Sequence, residues 1–258
     1  MRPIAAALFD FGDTLVRVHP TITAHYRRSL AAHGIAASPA VVRSGLRAAA
    51  DHYRAARRAG HPFESDRGAA LAFWRSYNET LLAVLGVGRG RRRLAAALAD
   101  GFYQPSCWRR FPETLAVLRR LRADGVRIGI VSNFTPALLP ICDALGLLEL
   151  CDVVLASTLV GSEKPDVTIF RLALRQLGVE PSGAVHVGDT YTADVLGARA
   201  AGITPVLLVR PDRRPRLSSG DGEPARPVPS GVDCAVVTDL WGVVPLVPAE
   251  RPAPQPVE

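Results

Sequence analysis

Four short polar clusters carry the residue types from which a reactive centre could be built: Asp10-Phe11-Gly12-Asp13-Thr14-Leu15, Ser132-Asn133, Lys164-Pro165, and Gly188-Asp189 with Asp194. Each follows an apolar run of the length of a buried strand, the lysine a few residues further into its loop. Brought together, they supply several carboxylates, a hydroxyl, an amide and an ammonium. Carboxylates crowded into one place repel, so some must be protonated or share a cation. Oxygen donors with no His or Cys among them suit Mg2+, which takes one or two carboxylates and accepts a phosphate oxygen. A lysine and a strand-end hydroxyl beside such an ion suit an anionic, tetrahedral group. An aspartate there can attack it and form an aspartyl-phosphate. Positive charge spread around a transferring phosphoryl group supplies most of its catalysis. The chain has 31 Lys and Arg residues, yet Lys164 is its single lysine, which marks that position as one needing an ammonium.

Spacing of apolar residues indicates what must position these clusters. Residues 4–9 form a short continuous apolar run, as in a strand buried on both faces. Residues 20–103 hold no strand and read as helices over 21–32, 39–57, 69–85 and 91–102, stopped by Gly34, Gly60 and Gly86. Beyond Pro112 helices and strands alternate: helices at 113–123, 136–145, 167–177 and 193–201, strands at 126–131, 153–156, 184–187 and 205–209, and a last strand at 235–237. Alternation implies an α/β fold, a parallel sheet with helices on both faces. The helical block is then an insertion after the first strand. Its two ends must return to the carboxyl edge of the sheet, where open α/β sheets bind ligands. The expected division is a core of residues 1–16 and 109–246, a helical cap of 17–108 and a disordered Pro-rich tail of 247–258. Residues 210–231, rich in Pro, Arg, Gly and Ser, read as a mobile loop.

Composition sets the outer bounds. The chain has 258 residues, 48% hydrophobic and 21% charged, which excludes wholesale disorder and provides a core without staples. No run reaches the roughly 18 apolar residues of a membrane span. Four unpaired-looking cysteines and the lack of a signal-like start point to a reducing, cytoplasmic setting. The net charge of +7 is spread over several elements without interleaved aromatics, so neither a nucleic acid nor a membrane is expected as partner.

At these same residues the chain resembles the haloacid dehalogenase (HAD) superfamily. Phe9 to Leu15, Ile130-Val131-Ser132-Asn133, Lys164-Pro165 and His186-Val187-Gly188-Asp189 with Asp194 match its four ordered motifs. The likeness spans about residues 4–209. Asp10-x-x-Asp13-Thr14-Leu15, a Trp-bearing cap helix and Asn133-Phe134 bring it nearest the branch called haloacid dehalogenase-like hydrolase domain-containing protein 3. The resemblance implies a Rossmann-like core with a C1-type cap. It implies Asp10 as nucleophile, and Mg2+ held by Asp10, the Gly12 carbonyl and Asp189, with Asp194 a ligand or an acceptor for a metal-bound water. Ser132 and Lys164 would grip the phosphoryl group of a small phosphorylated substrate; Asn133 is grouped with them and would orient the first loop. The protein would act as a monomer or homodimer.

One departure matters. Phosphatases of the superfamily usually carry a general acid two residues after the nucleophile, where this chain has Gly12. Metal binding through a carbonyl survives; proton delivery to the leaving oxygen does not. Asp13 is adjacent but should project differently. Besides a phosphatase, this leaves a haloacid-type dehalogenase, whose halide departs without a proton, and a catalytically degenerate phosphate-binding module. Plainer readings exist for single residues: Asp10, Asp13, Asp189 and Asp194 as caps, Ser132-Asn133 as turn chemistry, His186 as a satisfied core histidine, and Trp74, Tyr77, Cys107 and Trp108 as packing.

Overall fold

A computed structural model describes residues 3–60, 62–211 and 233–247. In chain order the elements are β1 (Ala6–Phe9), β2 (Val16–Val18), helices α1 (Ile22–Ala32), α2 (Pro39–Arg58), α3 (Arg67–Val84) and α4 (Arg91–Gly101), β3 (Trp108–Arg110), α5 (Thr114–Ala123), β4 (Arg127–Ser132), α6 (Leu138–Ala144), β5 (Val153–Ala156), α7 (Ser157–Val160), α8 (Val167–Leu177) and β6 (Ala184–Gly188). A π-helical turn (Tyr191–Leu196), α9 (Gly197–Ala200), β7 (Thr204–Leu208), β8 (Ala235–Val237) and a 3-10 segment (Leu240–Leu246) follow.

Six strands form one parallel sheet in the order β5-β4-β1-β6-β7-β8. Every residue of β1 is buried because the sheet is covered on both faces. Alternation along the strand sends Ala7 and Phe9 into a layer with Val117, Leu118 and Leu121 of α5, and Ala6 and Leu8 into one with Ile169, Phe170 and Ala173 of α8. The expected elements are present with their ends displaced by no more than two residues. Two were missed. β2 and β3 pair antiparallel, Val16 opposite Arg110 and Val18 opposite Trp108, and close the two ends of the helical block into one ribbon. Three-residue strands carry too few alternations to register as a period. The expected helix at 193–201 starts as a π-helical turn and becomes α-helical only at Gly197. Of the loop expected at 210–231, residues 212–231 lie outside the described residues, as do 248–258 of the tail.

The four inserted helices have their own core of Tyr26, Leu30, Leu46, Tyr77, Leu81 and Leu98, with Trp74 packed against it. Thr21, Ser38 and Asp66 cap α1, α2 and α3 through their side chains. Cys107, Trp108 and Cys142 are buried in the sheet's core, and Cys151 is half-buried. Among the described residues no helix is long and apolar enough to cross a membrane.

Gly129 is closely packed within the sheet: a Cβ there would lie 2.5 Å from Leu8 Cδ2 and 2.8 Å from Val153 Cγ1. Gly129→Ala is therefore expected to destabilise the protein by about 1–3 kcal/mol through overpacking. Urea unfolding checks this, with a lowered midpoint and an unchanged slope.

Candidate active site

The strand register does most of the placing. Phe9 lies opposite Ile130 on β4 and Val187 on β6, and the Asp10 N–H donates to the Val187 carbonyl at 2.9 Å. Asp10 therefore leaves the sheet between Ser132, at the end of β4, and Asp189, just past β6. All three are buried. The chain then turns: the Asp13 N–H donates to the Val16 carbonyl at 2.7 Å, with Asp13 in the left-handed region at φ 60°, which Asp tolerates better than most residues. Arg210 Nη2 holds this loop by donating to the Thr14 carbonyl at 2.8 Å, and Thr114 Oγ1 by donating to that of Leu15 at 2.7 Å.

Lys164 enters from the loop beyond α7. Its ammonium is 2% exposed and donates to Asp10 Oδ1 and Asp194 Oδ1, each at 2.7 Å. Its backbone is held by Asn133, whose Oδ1 accepts from the Lys164 N–H at 2.7 Å and whose Nδ2 donates to the Lys164 carbonyl at 2.9 Å. The expectation that Asn133 orients the first loop is corrected here. Its amide, a donor and an acceptor side by side, matches the backbone of the lysine segment, and the first loop rests on Arg210 and Thr114 instead.

Asp194 has three partners: Oδ1 accepts from Lys164 and from His186 Nε2 at 3.0 Å, and Oδ2 from the Thr190 N–H at 2.9 Å. A carboxylate only accepts, so the His186 proton sits on Nε2. Among the described residues Nδ1 has no partner, and His186 is a buried core histidine, as expected, that holds Asp194. The sequence signal for its role was strand alternation. His186 and Gly188 share a face, and glycine leaves that face open: a Cβ at 188 would lie 2.2 Å from Asp194 Cγ. The π-helical turn folds Asp194 back into that gap. Such turns inside helices are frequent at functional sites.

One ammonium thus serves two carboxylates, with opposite results. Burial raises the Asp10 carboxyl to about 6; Lys164 opposes the rise and Asp194 adds to it. Burial would raise Asp194 too, but Lys164 and His186 outweigh it and hold that carboxyl well below its usual range. Burial disfavours the Lys164 charge, and the two aspartates override it and raise its pKa.

The donor set fits a hard divalent cation. Ligand oxygens of Asp10, Asp189 and Asp194 lie within 4.8 Å of one another, and among the described residues no nitrogen or sulfur donor joins them. Asp194 already accepts three hydrogen bonds, the Lys164 ammonium's among them, and all three carboxylates lie close enough to share an ion. Crowded acids, a buried ammonium and a strand-end hydroxyl suit a reaction in which a carboxylate attacks an electron-poor centre bearing negative oxygens.

A model of the haloacid dehalogenase-like hydrolase family matches residues 4–202. The haloacid dehalogenase-like hydrolase domain-containing protein 3 of Homo sapiens is 33% identical over 206 residues, 79% of this chain and 81% of that one. The ribulose-1,5-bisphosphate 5-phosphatase of Halopiger xanaduensis is 33% identical over 176 residues, 67% of this chain and 72% of that one. Among solved structures, a HAD phosphatase from Thermococcus onnurineus superposes with a TM-score of 0.62 at 24% identity, covering 96% of this chain and all of the other.

Lys164→Met would leave Asp10 and Asp194 facing each other without a cation. Both carboxyls would then bind protons more tightly folded than unfolded, so the cost of ionising them grows as pH rises. The expected loss is about 3–5 kcal/mol near pH 8, and distinctly less near about pH 5. Urea unfolding of both proteins at the two pH values measures it; equal losses would mean that the ammonium does not neutralise the pair.

Proposed function

The chain belongs to the haloacid dehalogenase-like hydrolase family, and within it we propose a magnesium-dependent phosphatase of a small phosphorylated metabolite, with Asp10 as nucleophile. The observation that carries this reading is the buried cluster of Asp10, Asp189 and Asp194, with Lys164 spanning two of the three. In the first half-reaction an Asp10 oxygen bonds to phosphorus as the bond from phosphorus to the leaving oxygen breaks, giving an aspartyl-phosphate. In the second, water attacks that phosphorus, phosphate departs and the Asp10 carboxylate returns. Lys164 and the Ser132 hydroxyl hold phosphoryl oxygens, and Asn133 keeps the lysine segment in place. Asp10, Asp189 and the Gly12 carbonyl would hold Mg2+, which when bound supplies positive charge to the phosphoryl oxygens. Asp194 anchors the lysine. The inserted helices exclude bulk water and select the substrate.

Gly12 favours a second reading, hydrolysis of a carbon–halogen bond, because halide leaves without a proton. Asp189 weighs against it, as a third acidic group that such a reaction does not call for.

The purified protein with Mg2+ is expected to release inorganic phosphate from aryl and acyl phosphates and to lose that activity on chelation. Asp10→Asn should abolish it without unfolding the protein; surviving turnover would remove Asp10 from the nucleophile's role. Without a general acid, worth about 10²–10⁴-fold, the rate should fall steeply as the leaving group's pKa rises. Among the described residues nothing beyond its chain neighbours lies within 4 Å of a Cβ added at Gly12, so Gly12→Asp has room for its Cβ and should flatten the slope. A wild-type rate indifferent to the leaving group would mean that another group supplies the proton.

A further inference from the structure

A second set of buried charges lies where the inserted helices meet the sheet. Arg57, at the end of α2, donates through Nη1 to Glu163 Oε1 and through Nη2 to Glu64 Oε2. The Glu64 N–H donates to the other Glu163 oxygen, and Ser157 Oγ to the Glu64 carbonyl. Both glutamates are buried. The guanidinium is fixed as well: its Nε donates to Tyr53 Oη at 3.0 Å, and it lies 4.4 Å from the centre of the Phe63 ring. Glu163 is the residue immediately before Lys164.

Two buried glutamates therefore compete for cations beside the one ammonium that Asp10 and Asp194 require. Burial pushes the Glu64 carboxyl up to about 7; Arg57 pulls it down, Glu163 raises it, and Lys164 also lowers it. Lys164 is thus within electrostatic reach of this second cluster. We propose that Arg57 is a positioning residue that acts through Glu163 and Glu64: by neutralising them it leaves the Lys164 ammonium to Asp10 and Asp194. Seating of the inserted helices on the core and correct placement of the lysine then become one event, because the cation that frees the lysine comes from the inserted helices. Without Arg57, an ammonium on a flexible stem turns to its neighbouring carboxylate and leaves the nucleophile. The proposal rests on the phosphatase reading where it concerns rate; the charge distribution stands apart from it.

The test uses the fact that Lys164 is the single lysine: protein labelled with 15N-lysine gives one side-chain ammonium resonance. Arg57→Gln should shift that resonance and lower kcat for p-nitrophenyl phosphate by about tenfold or more, the scale of a misplaced reacting group. Adding Glu163→Gln should return the resonance toward its wild-type position and recover most of kcat, since the competing carboxylate is gone. A double variant as poor as or poorer than Arg57→Gln, in resonance and in rate, would overturn the proposal and reduce the cluster to a docking contact. Should Arg57→Gln alone be recovered unfolded, Glu163→Gln alone decides: the lysine resonance stays in place if charge partition governs it, and a displaced resonance refutes the proposal. A wild type that releases no phosphate would sink the phosphatase reading, while the resonance still tests the placement of the lysine.

Discussion

Negative charge taken out of water is the constraint to which the rest of this structure answers. Asp10, Asp13, Glu64, Glu163, Asp189 and Asp194 are all buried near one edge of the sheet, against Lys164 and Arg210 as the buried cations and Arg57 half-covered. An unpaired buried charge is far too costly to leave in place. The fold meets the cost locally. Strand ends bring the acids together, a backbone clamp fixes the lysine, backbone N–H groups of Thr190 and Glu64 donate to carboxylate oxygens, and an arginine arrives from the inserted helices.

The same ammonium treats its two partners differently, and this gives each a distinct chemical character. Asp194 gathers an imidazole N–H and a backbone N–H besides the lysine, so its carboxyl is held well below the usual range and it serves as an anchor for the lysine. Asp10 has the lysine and a backbone hydrogen bond from Phe11 but no imidazole, and burial holds its carboxyl up at about 6. A carboxylate held loosely by its surroundings keeps more of its basicity for an electrophile than one saturated with donors. The difference between two aspartates at equal distance from one nitrogen thus follows from the imidazole that only Asp194 receives.

Much of this was legible in the sequence because it rests on patterns that survive without tertiary context. Apolar runs such as residues 6–9 and 153–156 announce buried strands, and polar residues at their carboxyl ends announce the site. Lys164 stood out through composition alone. What stayed hidden depends on partners far apart in the chain. Asn133 clamps a backbone 31 positions away, and Arg210 secures Thr14 across 196 positions. The β2–β3 ribbon was too short to show a period, and the π-helical turn at Tyr191–Leu196 is written in no propensity scale; only Gly188, by leaving room for Asp194, hints at it. Arg57, Glu64 and Glu163 carry no signal in the sequence, because nothing local says that a helix end will settle over the two glutamates.

The preference for guanidinium over ammonium has an outcome reaching past catalysis. The chain's only side-chain amine is covered to 98% by the folded protein, being 2% exposed, so acylating reagents, and any enzyme that modifies lysine, find no side-chain target on the native surface. Reactivity at that nitrogen would report the opening of the molecule itself, making this chain its own indicator of unfolding.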